Sequence, residues 1–248
     1  MKEELAEELE TFASWERMST DYDQVLRATY KEFHHGCRYY KGKQKDYETW
    51  LRQTHPAAYV APIERADGGR QDLDYDAAYP IYINRRYFIE YLHMFVFGKG
   101  HSNILEDFLY VIHRSLQYVA ATRANGLMDL LVTRPMRWLT GSSAELMNWS
   151  PFSMGAVIDM VEELFLEGQH NGSIFLDPGL NDRFWEPIKL AQPKFAKYQD
   201  DMYNNTFILS PDGSKRHLLF KLALEELQQP KDLTNLATRD KTIEYLQV

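Results

Sequence analysis

The stretch from Asn84 to Gly98, NRRYFIEYLHMFVFG, decides the fold. Tyr87, Phe88, Tyr91, Leu92, Phe95 and Val96 recur at spacings of three and four, which is one stripe of a helix and not the alternation of a strand. Asn84 before the stripe and Gly98 after it read as cap and stop, so a helix is predicted over 84–98. The next run, SNILEDFLYVIHRSLQYVAATRA, offers Ser102 or Asn103 as a cap and Glu106 near the capping-box position. It is apolar almost all round, the pattern of a central helix over 102–122.

On the N-terminal side, EELAEELETFASW is amphipathic with Leu5, Leu9 and Phe12 on one face. STDYDQVLRATYKEFHHG repeats the pattern from Tyr22 to Phe33, and a third helix is expected at about 44–54, ahead of Pro56. From 56 to 83 three prolines, a Gly-Gly pair and a run of Asp show no helical period, so this stretch reads as an irregular connection. On the C-terminal side, a helix is interrupted at Pro135. Ser150-Pro151 then opens a helix over 151–167, with Val157, Ile158, Val161, Leu164 and Phe165 as its core face and Gly168 as its end. SIFLD suggests a short strand, helices follow near 180–190 and 193–204, and Ser-Pro-Asp-Gly between 207 and 217 predicts a hairpin. A helix at 218–228 ends before Pro230. The last segment finishes in helical pattern without a C-cap, as if more chain followed.

The fold class is therefore mainly α, an irregular multi-helix globular bundle of eight to ten helices with one small β-hairpin. Its core is expected on 84–98, 102–122 and 151–167. The parts are an N-terminal helical segment (1–55), the irregular connection (56–83) and a main helical domain (84–248), or all three as one continuous domain.

The 248 residues carry a formal charge of −8, which opposes generic nucleic-acid binding because phosphates are held mainly by Lys and Arg. The single Cys, Cys37, excludes an internal disulfide and fits a reducing compartment. No apolar run reaches the roughly 18 residues of a membrane span, and the acidic N-terminus is unlike a signal or transit peptide. A soluble intracellular chain is expected. Sixteen Tyr and five Trp imply extensive aromatic cores or contact surfaces.

Motifs for chemistry are thin. Ser153 in WSPFSMG lacks the preceding strand and the Gly of a nucleophile elbow, and starts a helix instead. His34, His35 and Cys37 have no second Cys to complete a zinc set. Asp72, Asp74 and Asp76 sit at positions 1, 3 and 5 of a calcium loop whose Gly and Glu are replaced by Ala77 and Ile83. Walker, dinucleotide and His-Glu-x-x-His signatures are absent, and no cofactor is expected.

The reading favoured is a non-catalytic intracellular interaction or scaffold protein. It would bind a protein partner or larger assembly through aromatic faces anchored by Trp15, Trp50, Trp138, Trp149 and Trp185. An alternative places nucleic acid on Lys41, Lys43 and Lys45 with Tyr39 and Tyr40. A second alternative is an enzyme with a metal-binding histidine–carboxylate site at Glu90, His93 and His113.

Three stretches, MRWLTGSSAELMNWSPFSMGAVIDMVEELF, GSIFLDP and HLLFKLALEELQQPKDLTNLATRDKTIEYL, resemble in their order a segment of large, repetitive, uncharacterised open reading frames of microalgal genomes with the look of mobile-element derivatives. The resemblance covers the C-terminal half and implies no fold, activity or catalytic residue.

Overall fold

A computed structural model describes residues 21–33, 43–56, 63, 72–98, 100, 102–140, 151–191, 193–197, 207–209, 215–217, 220–229 and 238–247. These are mainly helical, and they belong to two compact units that divide between Gly126 and Leu127. The sequence had placed the boundary in the irregular connection at 56–83.

The first unit contains α1 (Tyr22–Phe33), α2 (Gln44–Thr54), α3 (Asp72–His93, prolonged by a π-helical turn Met94–Gly98), α4 (Ile104–Ile112) and most of α5 (Leu116–Met128). Its core is aromatic. Phe33 stacks on Phe88 at 4.1 Å between ring centroids, Tyr47 stands edge-on to Phe33 at 5.1 Å, and Tyr91 meets Tyr47 at 5.3 Å.

Helix α3 corrects the expected irregular stretch, since residues 72–83 are helical with Pro80 inside. Ala77, Ala78, Tyr79, Ile81 and Tyr82 are all at most 2% exposed. A helix buried on every face has no polar side and hence no period to read. Asn84, expected as a cap, is a fully buried residue within this helix. Close approach does the rest: a Cβ on Gly126 of α5 would lie 3.0 Å from the Tyr79 Cα.

The predicted helix 102–122 is two helices. The capping box expected at its start is present, with Glu106 N–H donating to Asn103 Oδ1 at 3.0 Å and Asn103 N–H to Glu106 Oε2 at 2.8 Å. The break comes at 113–115. Arg85 Nη1 donates to the His113 carbonyl (3.0 Å) and Ser115 Oγ accepts from Tyr118 N–H (3.3 Å), so each new helix end has a side-chain partner.

In the second unit a π-helical turn (Asp129–Thr133) follows α5 and leads into α6 (Arg134–Thr140), α7 (Pro151–His170), a 3₁₀ turn (Gly172–Leu176) and α8 (Leu180–Ala191). A short helical stretch at 193–197 precedes α9 (Phe220–Gln228) and α10 (Arg239–Leu246). Phe207–Leu209 pairs antiparallel with Lys215–His217, Phe207 opposite His217, the one extended pairing among the described residues.

Trp185 organises this core with Leu139, Val157, Ile188 and Phe195 around it. Its Nε1–H donates to the Leu131 carbonyl at 2.8 Å. Leu131 lies in the π-helical turn, so this bond ties α8 to that turn.

Two local expectations fail here. Gly168 does not end α7: a Cβ there would fall 2.3 Å from the Phe175 ring, so the glycine marks a close approach. SIFLD is the 3₁₀ turn and not a strand. Gln228 Nε2 donates to the carbonyls of Phe175 and Asp177 at its end.

Candidate functional site

Glu90, His93 and His113 occupy three separate environments. Glu90 accepts from His55 Nε2 at 3.0 Å on the surface. His93 is exposed beside Phe97 and Tyr110, at 4.8 and 6.0 Å between ring centroids. His113 is wholly buried against Phe88 and Tyr118. No group of three His, Cys, Asp or Glu that could hold a metal ion occurs among the described residues, so the predicted triad is not assembled. The helical period brought Glu90 and His93 onto one helix, but neighbours on a helix separated by three residues need a third element to converge, and α4 sends His113 inward.

The surroundings of His113 define its chemistry. Thr29 Oγ1 lies 3.0 Å from the Val25 carbonyl and 3.1 Å from His113 Nε2, so this ring nitrogen has a hydrogen-bond partner. Nδ1 is buried without a hydrogen-bond partner. Burial first, then the Arg85 guanidinium, pushes the imidazole down to about 3. This is a neutral core histidine. The unfolded chain binds a proton near pH 6.5 that the folded chain refuses, so its contribution to stability is complete above about pH 6.5 and is lost as pH falls toward 3. The loss amounts to roughly 1.4 kcal/mol per pH unit, or about 2 kcal/mol at pH 5. Urea midpoints at pH 7.5 and pH 5 should show it, and His113→Gln should flatten the difference. An equal pH dependence in the variant would assign the effect elsewhere.

Lys43, proposed for nucleic acid, is engaged internally. Its Nζ forms an ion pair with buried Glu106 and lies 4.5 Å from the Phe95 ring centroid, while its backbone N–H donates to the Glu32 carbonyl at 2.8 Å. It therefore fixes the start of α2 to the capping box of α4. Lys45 is exposed, and Tyr39, Tyr40 and Lys41 lie outside the described residues, as do His34, His35 and Cys37. Asp72, Asp74 and Asp76 lie in the first two turns of α3, so they do not form a calcium loop. Ser153 falls in the first turn of α7.

Of the five Trp offered as partner anchors, two are core. Trp185 is 0% exposed and Trp50 8%, the latter donating to Met94 Sδ at 3.1 Å. Their large apolar surface is more favourable buried within the chain than left for a partner. Trp15 and Trp149 lie outside the described residues, as does the side chain of Trp138.

Exposed apolar surface is found on α7 instead. Ile158, Phe165 and Leu166 are 54%, 44% and 55% exposed, although Ile158 and Phe165 read as core in the sequence. Val157 and Leu164 are the positions that are buried. Ile158 and Phe165, seven residues apart, differ by only about 20° around the helix and form one line, with Leu166 about 100° beyond Phe165. Glu162 projects between the line and Leu166. Asp159, Glu163 and Glu167 fill the remaining outer arc, and no Lys or Arg occurs between Arg137 and Arg183. The outer surface of α7 thus combines exposed large apolar side chains with charges of a single sign.

Compared with protein families, with characterised proteins and with solved structures, the chain matches none. Among the described residues no helix is long and apolar enough to cross a membrane.

Proposed function

We propose that the chain is a non-catalytic intracellular helical scaffold that holds a protein partner on the outer face of α7. The exposure of Ile158, Phe165 and Leu166 on one helix carries this reading. Single exposed apolar residues are ordinary, but three large ones within nine positions of one helix form a patch of the kind that partners cover.

Magnitude limits what that patch does alone. Covering the exposed half of each side chain is worth about 1 kcal/mol, or about 3 kcal/mol for the three. Micromolar binding requires about 8 kcal/mol, so polar contacts around the patch must contribute.

The test is the native mass of the chain in extract of its source. The wild type is expected in a species larger than its own 29.2 kDa, and Phe165→Ser is expected to shift it down while leaving the helical circular dichroism unchanged. Migration of the wild type alone at monomer mass would overturn the reading.

A further inference from the structure

We infer that the partner segment seated on α7 is a basic amphipathic helix, an inference that rests on the interaction reading above. The occupant follows from geometry and charge together. Ile158 and Phe165 mark a line about 10 Å long parallel to the axis of α7, the length over which a facing helix places residues i, i+3/4 and i+7. Glu162 lies immediately beside the line, and Asp159, Glu163 and Glu167 continue the acidic arc. None of the four is paired with a cation among the described residues. A partner that covers Ile158 and Phe165 therefore brings its flanking side chains against unpaired carboxylates. Lys and Arg satisfy these carboxylates, whereas Asp and Glu are repelled.

Charge also selects against the other occupants. A second copy of α7 laid on this face would set acid against acid. The N-terminal segment MKEELAEELETF, amphipathic but rich in Glu, meets the same repulsion. Nucleic acid is excluded from the face by its own phosphates.

The experiment uses the full chain and two labelled 18-residue helical peptides with the same Leu pattern, one filled with Lys and the other with Glu, followed by fluorescence anisotropy. The Lys peptide is expected to bind at least about tenfold more tightly than the Glu peptide, with affinity falling as salt rises. Phe165→Ser is expected to weaken it about tenfold, and the double reversal Glu162→Lys, Glu163→Lys to exchange the preference between the peptides. Equal binding of the two peptides would overturn the inference. So would Lys-peptide binding that Phe165→Ser leaves unchanged, since that is attraction to charge alone. Concentration-dependent self-association lost in Phe165→Ser would replace the basic helix with a second copy. If the native mass in extract depends on Phe165 while neither peptide is preferred, the interaction face stands and its basic partner falls. If the native mass is that of the lone chain, the face itself falls.

Discussion

Trp185→Ala is expected to destabilise the second unit by about 3–5 kcal/mol, the range for removing a fully buried aromatic side chain. Two losses combine. The indole is 0% exposed, packed against Phe184 at 4.8 Å and Phe195 at 5.3 Å between ring centroids, so alanine leaves a cavity. It also removes the Nε1–H donated to the Leu131 carbonyl. Trp185→Phe separates them, since it keeps most of the packing and only the carbonyl loses its donor. A loss of about 1–3 kcal/mol is expected for it in urea unfolding, clearly less than for alanine. Equal losses would assign the whole effect to the hydrogen bond, and an unchanged phenylalanine variant would show that the bond contributes nothing.

Asp129→Ala should cost about 3–5 kcal/mol, for an electrostatic reason. The carboxylate sits in the π-helical turn, fully buried, and accepts from Arg134 Nε at 2.5 Å, while the arginine side chain is 14% exposed. Truncating Asp129 leaves a guanidinium largely removed from water and deprived of this charge partner. Double-mutant analysis with Arg134→Met checks the cause. The double variant should recover part of the loss, because it also removes the largely buried arginine charge that has lost this carboxylate. Additive losses would mean that the two side chains are not coupled.

Where one face of a helix meets water, the sequence was legible. Helices α1 and α2 alternate polar and buried faces, and the Asn103–Glu106 capping box and the Pro151 start are local chemical signals that survive into the structure. The first half of α3 was not legible, because Ala77 to Tyr82 are buried all round and carry Pro80, which imitates a loop. Nor was the break at His113, since an apolar run conceals a turn whose only local sign is Ser115 acting as a cap. The candidate site was misread for a related reason. Periodicity assigns Ile158 and Phe165 to the same apolar arc as Val157 and Leu164, but neighbouring elements cover only part of that arc. Pattern gives the width of an apolar face and is silent on how much of it the fold uses. Trp50 and Trp185, offered as partner anchors, are core, because a large ring serves core and interface equally well and composition does not distinguish the two.

The bond at Leu131 has a consequence for how the second unit opens. Trp185 and Leu131 lie fifty-four positions apart, yet the indole joins them through a proton given to a backbone oxygen. A local opening of α8 has to release that oxygen as it exposes the ring, so the two segments are expected to exchange their amide hydrogens as one cooperative block.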